Sequence, residues 1–409
     1  MVLVVLVVPI GCILADELHT IPDHGILTGT VVDTLCHKVA NALVSVGTVG
    51  KTATTGPDGR FSVPFSPADI GSNQVLLVST APAGYAQNQT RVQLSASTHY
   101  DTTLVLKSIS IRTMVNTPAT EALIVQEPYR GWVRVPPSSL VNTLGVPITE
   151  PITAQLTTLD PMREDRMAFP GNHFLGMNPA DQNSTVPLEV VAVAEVNVLG
   201  ASGTRYHHLA TKATLRLTIA AEGLGTLVEG DHLPLWFYDT TDGLWHSEGE
   251  GTVRSSPTDQ RLWVEGQVTH LSWWSFAFPI SEPACLRLRP VDAETHHSLL
   301  HLTFGIEGIA FVGGAQGVVE DDGLVFLSKK SQDSAHLAYV RLLFYAEGVP
   351  TYLRRDPAHA NDFYTVSLAG LATDIPMPTI PSIHNTRWEH CQDLGLIKVS
   401  SRKPFSQIR

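Results

Sequence analysis

The chain has almost no stretch with the 3.6-residue hydrophobic repeat of an amphipathic helix. Short runs of β-branched and apolar residues dominate instead, and many alternate apolar with polar positions, as half-buried strands do. Clear examples are Gly29–Asp33, Leu43–Val46, Val75–Val78, Thr214–Ile219 and Tyr339–Phe344. The 31 glycines and 27 prolines supply turns between such strands. The pattern predicts an all-β chain of tandem β-sandwiches, immunoglobulin-like or transthyretin-like, with few or no helices.

Turn-rich segments divide the 409 residues into several parts. We predict a signal-like segment at 1–15, β-rich blocks at 25–107, 118–280 and 284–395, and a basic tail at 396–409. Blocks of this length are ordinary domain sizes, and the hydrophobic fraction of 43% is high enough for them to bury cores.

The first and third blocks share a pattern that indicates an internal repeat. In each, a strand ends in Val-Asp, at Val32-Asp33 and at Val291-Asp292. An Asp-Gly turn then leads into a strand with an aromatic residue, at Asp58-Gly59 and at Asp322-Gly323. Asp-Gly favours such turns because Gly takes positive φ readily and Asp bonds its own backbone. We therefore interpret the two blocks as diverged copies.

The first block resembles the carboxypeptidase-regulatory-like module, a small transthyretin-like β-sandwich. The segments that carry this resemblance, in order along the chain, are Gly29–Asp33, Ala42–Val46, Thr54–Phe61 and Ala81–Tyr85. In that family the module is a non-catalytic appendage. The resemblance therefore implies β-sandwiches in the first and third blocks, without an active site of their own.

The second block is similar to the central β-rich domain of large secreted proteins that carry regulatory-like modules on either side. It is also similar to the ectodomain of the astroprincin family of single-pass membrane proteins. The segments concerned are Val135–Leu140, Gly145–Thr149, Pro151–Pro161, Phe169–Gly171, Leu235–Asp239, Gly243–Trp245, Glu248–Thr252 and Val268–Trp274. Astroprincin-like proteins continue into a membrane span and a cytoplasmic tail, and no stretch of this sequence after residues 1–15 resembles a span.

The N-terminus and the net charge bear on location and partners. Residues 1–15 are an unbroken apolar run before Asp16, which predicts a secretory signal with cleavage after Ala15. The net charge of −12 opposes binding to nucleic acid, because like charges repel the phosphate backbone. We expect a secreted or cell-surface protein, with no membrane span, whose partner is an extracellular protein or glycan.

Three cysteines follow the signal-like segment. An extracellular location favours one disulfide, and we expect it between Cys285 and Cys391, near the two ends of the third block. The ends of a sandwich domain often lie close together, as a disulfide requires. Cys36 would then be the unpaired thiol. In a cytosolic chain all three would be reduced.

Two Asn-x-Ser/Thr sequons predict N-glycosylation, at Asn88 and at Asn183. Asn88 follows the turn at Gly84-Tyr85, so we expect it in an exposed loop. The glycan at Asn88 is therefore the better supported of the two.

The sequence has no His-Glu-x-x-His, Gly-x-Ser-x-Gly or Gly-x-Gly-x-x-Gly motif in a usable context. His297 and His301 share one side of a predicted strand, but two ligands do not make a closed zinc site. We therefore expect no enzyme activity, no catalytic residue, no cofactor and no metal site. Weak calcium binding at the acidic turn Glu320–Asp322 stays open.

Five of the seven tryptophans lie between Trp236 and Trp274. Such rings fill sandwich cores, and they also stack sugars or dock proline-rich peptides. Trp273 and Trp274 are adjacent and should point to opposite faces of a strand, so one of them is a candidate ligand platform.

Together these features predict a non-catalytic extracellular protein with a structural, adhesive or ligand-binding role. Two alternatives stay open: accessory modules of a secreted hydrolase whose catalytic domain is absent, and a truncated receptor ectodomain.

Overall fold

The computed structural model describes most of the chain between positions 25 and 399. The described residues are 25–35, 37–47, 51–66, 69, 75–93, 99–116, 118–120, 122–127, 130–161, 168–171, 175–181, 184–219, 227–255, 261–279, 284–296, 299, 303–309, 314–318, 324–327, 339–346, 349–357, 363–366, 372–373, 375–376 and 392–399. The signal-like segment 1–15 lies outside them.

Within these ranges, the first block consists of seven strands in two sheets. The strands are β1 (Gly25–Asp33), β2 (Leu43–Val46), β3 (Lys51–Thr54), β4 (Arg60–Phe65), β5 (Val75–Thr80), β6 (Asn88–Gln93) and β7 (His99–Leu106). The sheet orders are β4-β1-β7 and β3-β2-β5-β6. Side chains of a strand point alternately to the two faces of its sheet, so every second residue enters the core. Along β4, exposed and buried side chains alternate strictly. Leu27 and Phe61 of one sheet pack in one core with Val44 and Leu76 of the other.

The second block has thirteen strands among its described residues. They are β8 (Ile111–Val115), β9 (Leu123–Glu127), β10 (Gly131–Val135), β11 (Leu140–Val141), β12 (Ile152–Leu159), β13 (Leu175–Met177), β14 (Thr185–Gly200), β15 (Arg205–Tyr206), β16 (His208–Thr218), β17 (His232–Asp239), β18 (Leu244–Ser255), β19 (Leu262–His270) and β20 (Trp273–Pro279). The main order is β8-β12-β14-β20-β17-β18-β19-β16-β10-β9. Because β8 and β9 at its two ends contact each other, the sheet folds over a single core.

The third block has nine strands in the part that the structure describes. They are β21 (Ala284–Asp292), β22 (Thr303–Ile309), β23 (Gly314–Val318), β24 (Leu324–Leu327), β25 (Tyr339–Ala346), β26 (Val349–Arg355), β27 (Phe363–Val366), β28 (Ile375–Pro376) and β29 (Gln392–Val399). The order is β23-β22-β25-β26-β27-β29-β21-β24, with β28 beside β25.

The predicted all-β class is confirmed: none of the described residues lies in an α-helix. No described segment forms a helix long and apolar enough to cross a bilayer. The structure shifts two of the block boundaries that the sequence predicted. Strand β8 begins at Ile111 and pairs with β12, so the second block starts before residue 118. Strand β29 runs to Val399, so residues 396–399 belong to the third block rather than to a basic tail.

The first and third blocks share one strand arrangement. Strand β1 runs antiparallel to β4 and parallel to β7, and β21 runs antiparallel to β24 and parallel to β29. Asp33 lies opposite Leu106, and Asp292 lies opposite Val399, at the last pair of each parallel ladder. This correspondence supports the interpretation of the two blocks as diverged copies.

The aspartate at the end of each first strand also holds the next turn. Oδ1 of Asp33 accepts backbone N–H groups of Leu35 and His37, at 2.8 and 2.9 Å. Oδ1 of Asp292 accepts two backbone N–H groups of the turn that follows it, at 3.0 and 2.7 Å. A short carboxylate suits this role because it reaches the backbone two to four residues ahead.

A further hydrophobic core lies where the three blocks meet. The first block contributes Val32 and Val105, and the third contributes Leu343. The second block contributes a group of large side chains, among them Phe169, Trp236, Tyr238, Trp245 and Trp273. The blocks are therefore packed against one another through apolar side chains.

We expect Asp33→Ala to lower the free energy of unfolding by about 1 kcal/mol, because the turn loses two hydrogen bonds. Asp33→Asn keeps an Oδ1 acceptor and should stay close to the wild type. Urea unfolding of the full chain measures both. Equal stabilities for Asp33→Ala and Asp33→Asn would contradict the turn-holding role.

The disulfide stays a prediction, because Cys391 lies outside the residues that the structure describes. Leu286, directly after Cys285, pairs with Gln392, directly after Cys391. Cys36 also lies outside the described residues. We expect peptide mapping of secreted protein without reduction to recover a Cys285–Cys391 cross-link, with Cys36 as a free thiol. On the chain-entropy model, closing a loop of about 100 residues stabilises a fold by roughly 5 kcal/mol. Free thiols at both positions, or a link to Cys36, would show that the pairing is wrong.

Candidate functional site

A cleft of about 380 Å³ lies at the junction of the first and second blocks. Its volume is in the range of pockets that hold small ligands, and such pockets often lie between domains. It is lined by Gln87, Glu195, Val196, Asn197, Arg205, His207, Phe237, Tyr238, Asp239, Thr240, His270, Leu271, Ser272 and Trp273.

Three local features of the chain bring these residues together. Strand β14 pairs with β20, which places Glu195 opposite Trp273. The short turn between β19 and β20 carries Leu271, whose N–H donates to the carbonyl of His207 at 2.8 Å. Gln87 comes from the first block, just before β6. The cleft therefore needs both blocks.

Glu195 is a buried carboxylate, with 4% of its surface exposed. It accepts the backbone N–H of Gln87 at 3.3 Å and an Arg205 Nη2 hydrogen bond at 3.2 Å. Arg205 also donates to the side-chain carbonyl of Gln87. Burial raises the pKa of Glu195 to about 7, although Arg205 acts to lower it. Glu195 therefore links the two blocks through its hydrogen bonds, although removing its charge from water costs free energy.

Two aromatic side chains of the second block hold the start of β6 against the cleft. Trp273 donates its Nε1–H to the carbonyl of Gln87 at 2.9 Å. The Tyr238 hydroxyl donates to Oε1 of Gln89 at 2.8 Å, and Nε2 of Gln89 donates to the carbonyl of Thr240 at 3.2 Å. The wall of the cleft is therefore fixed by direct hydrogen bonds.

Two imidazoles line the other side of the cleft. Desolvation lowers the pKa of His207, and the neighbouring ring of His208 adds to this effect. Burial likewise lowers the pKa of His270, which packs edge-on against Phe237 with ring centroids 4.8 Å apart. Lowered pKa values keep both rings neutral at pH 7, so they offer donors and acceptors without charge.

Sequence reasoning missed one group of potential metal ligands at this cleft. Asp239, Asp242 and His246 each offer a donor atom, and these atoms lie within 4.8 Å of one another. Asp239 also lines the cleft. The three residues have no familiar motif spacing, and only the hairpin that joins β17 to β18 brings them together. The aspartate-rich turn Asp239–Gly243 was the available signal.

The tryptophan prediction is corrected by the structure. Trp273 and Trp274 do face opposite ways. Trp273 belongs to the core where the three blocks meet, called the junction core below, and Trp274 belongs to the core of the second block. Their exposures are 3% and 0%, so neither ring is an exposed platform. Among the described residues, the partly exposed tryptophans are Trp132 and Trp263, whose ring centroids lie 4.8 and 4.6 Å from Cζ of Arg216.

The expected exposed loop at Asn88 is also wrong. Asn88 begins β6 with 4% of its surface exposed, and its Nδ2 donates to the carbonyl of Val105 at 2.6 Å. A glycan on that nitrogen would break this bond and enter the core, so glycosylation at Asn88 does not fit this fold. Asn183 and the acidic turn Glu320–Asp322 lie outside the described residues.

No family model matches the chain. Among solved structures, the Bacillus anthracis TIE protein is 12% identical with a TM-score of 0.18, and the match covers 92% of this chain and 50% of that one. This chain therefore spans half the length of that protein. The major pilin subunit BcpA of Bacillus cereus is 12% identical with a TM-score of 0.16, covering 93% of this chain and 100% of the pilin.

A Ca²⁺-stabilised adhesin that helps an Antarctic bacterium bind ice is 11% identical, with a TM-score of 0.12 and coverage of 88% and 99%. At these TM-scores the similarities do not extend to a common arrangement of the whole chain. The site is therefore interpreted from its own residues.

The buried carboxylate predicts an unusual dependence of stability on pH. Glu195 has an ordinary pKa of 4.5 when unfolded and one of about 7 when folded. Between these values the folded state binds more protons, so this group's contribution to the free energy of unfolding falls as pH rises. The loss amounts to about 3 kcal/mol.

We expect Glu195→Gln to flatten that decline, because a neutral amide has no proton to lose. Urea unfolding at several values between about pH 5 and pH 8 measures it. Glu229→Gln, the same substitution at an exposed turn, is the matched control. An unchanged pH dependence in Glu195→Gln would show that the carboxylate titrates as an ordinary one.

Proposed function

We propose that this chain is a non-catalytic extracellular binding protein of structural or adhesive type, and that it binds a glycan segment in the junction cleft. The observation that carries the proposal is the cleft itself, whose walls come from two blocks fixed to each other by a shared core and by Gln87 and Gln89. A preformed cavity between rigid elements binds its ligand at a smaller entropic cost, because the protein has little left to order.

The electrostatics of the lining support a polar ligand that carries no negative charge. Arg205 compensates Glu195, and the pKa values of His207 and His270 are lowered. The remaining groups are the Asp239 carboxylate, amides, hydroxyls and backbone atoms beside the partly exposed aromatic ring of Phe237. Hydroxyl-rich sugars match such a mixture, because their C–H faces pack on aromatic rings while their hydroxyls both donate and accept.

The hydrogen bonds of the cleft support binding rather than turnover. Ser272, a hydroxyl of the lining, lies 3.4 Å from the carbonyl of Tyr238, to which it donates. Glu195 is occupied by Gln87 and Arg205. A nucleophile needs a base within hydrogen-bond reach, and these groups are instead paired with structural partners.

Two further features support an extracellular, non-catalytic role. The apolar run at 1–15 is typical of a secretory signal. The resemblance of the first block to the carboxypeptidase-regulatory-like module implies a non-catalytic appendage, and the repeated strand arrangement extends that interpretation to the third block.

We expect the secreted product to bind on a glycan array and Ser272→Trp to weaken that binding by at least about tenfold, because the indole fills the cleft. Thr143→Trp adds the same ring at an exposed loop and should bind like the wild type. A protein array with the same variants tests a protein partner.

Three outcomes would overturn the proposal. Equal binding by Ser272→Trp and the wild type would exclude the cleft as the binding site. Binding only on the protein array would exclude the glycan, and binding on neither array would exclude a binding role. Release of cleaved ligand would show that the chain is an enzyme.

A further inference from the structure

The hairpin between β17 and β18 places three metal-binding side chains on one side of the sheet. Asp239, the last residue of β17, pairs with Leu244, and Phe237 pairs with His246. Side chains two residues apart on a strand share a face, so Asp239 lies diagonally across from His246. The turn between them carries Asp242. It closes at Gly243, which has φ +72° and donates its N–H to the carbonyl of Asp239 at 2.9 Å.

Each of these side chains is held in place by a partner that leaves a donor atom for a metal ion. Oδ1 of Asp239 accepts the N–H and the hydroxyl of Thr241, at 2.8 and 2.7 Å. Oδ1 of Asp242 accepts the N–H of Leu244 at 2.9 Å. The His246 ring stacks on Phe237, with centroids 5.5 Å apart and planes 25° apart. Partners of this kind orient metal ligands before the ion arrives.

The three donor atoms converge. Nε2 of His246 lies 2.9 Å from Oδ2 of Asp242, and a carboxylate oxygen of Asp239 lies within 4.8 Å of both. Two other histidine–carboxylate pairs in the described part of the chain, Asp33–His37 at 3.1 Å and His232–Glu250 at 3.0 Å, gain no third donor there. The β17–β18 hairpin therefore differs from an ordinary surface pair.

We propose that Asp239, Asp242 and His246 bind a divalent first-row transition-metal ion, for which Zn²⁺ is the probe. An imidazole with two carboxylates suits this class, whereas Ca²⁺ and Mg²⁺ take oxygen donors alone. Three protein ligands leave a coordination position open to water or to a ligand. Asp239 also lines the junction cleft, so the ion would lie beside that cleft. The ion would bind whether or not the cleft binds a glycan.

The test is equilibrium dialysis and titration calorimetry of the full secreted chain in metal-free buffer with Zn²⁺. We expect one strong equivalent, and a loss of affinity of at least about tenfold in His246→Ala and in Asp242→Asn. His37→Ala is the matched control, because it removes a histidine with the same aspartate spacing but without the third donor. It should bind like the wild type.

A second readout separates loss of the site from loss of the fold. Zn²⁺ should raise the unfolding temperature of the wild type and of His37→Ala, and leave that of His246→Ala unchanged. Co²⁺ in place of Zn²⁺ reports the ligand set through its visible absorption. Wild-type affinity in His246→Ala, or Ca²⁺ displacing Zn²⁺ at equal concentration, would overturn the proposal.

Discussion

The segment of the first block from Gln87 to Gln89 joins that block to the second through direct hydrogen bonds. Its backbone and side chains bond to Glu195, Trp273 and Tyr238 of the second block, and the carbonyl of Gln89 accepts the N–H of Gly171 at 2.8 Å. Several of these groups are buried, so separating the blocks would leave them without partners, which costs more than a simple loss of contact. The cleft and the burial of Trp273 both depend on this junction.

The junction also explains why the central strand β20 differs from the alternating strands around it. From Trp273 to Ala277 every residue is buried, because the core of the second block covers one face and the junction core covers the other. Strands covered on both faces have continuous apolar sequences rather than alternating ones. The sequence of β20 is therefore that of a strand between two cores.

The features that the sequence predicted correctly are those that depend on residues close together along the chain. Period-two alternation predicted the all-β class, and the Val-Asp and Asp-Gly pairs located matching strands in the first and third blocks. Trp273 and Trp274 faced opposite ways as expected, because that follows from strand geometry alone. The sequence alone did not show whether either face of this strand is exposed to solvent. Trp273 is covered by the first block, which is distant from it in sequence.

The burial of Asn88 and the grouping of Asp239, Asp242 and His246 were not predicted from the sequence, for a related reason. A turn at Gly84-Tyr85 indicated a nearby loop, but β6 starts at Asn88 and packs beneath β7 residues such as Val105. The proximity of Asp239 and His246 depends on the short turn that joins β17 to β18, next to which Asp239 pairs with Leu244 and Phe237 pairs with His246. The type and length of such a turn fix which residues of the two strands face each other, and the sequence analysis assigned neither for this hairpin.

The parallel pairing of first and last strands in the outer blocks has a consequence for how the chain folds. Strand β1 lies between β4 and β7, and β21 lies between β24 and β29. During synthesis, each first strand leaves the ribosome long before the strand that completes its sheet. Until then it has an open edge, to which another chain can add. Contacts between residues so distant in sequence also form slowly. Each outer block is therefore most prone to aggregation in the interval between the synthesis of its first strand and that of its last.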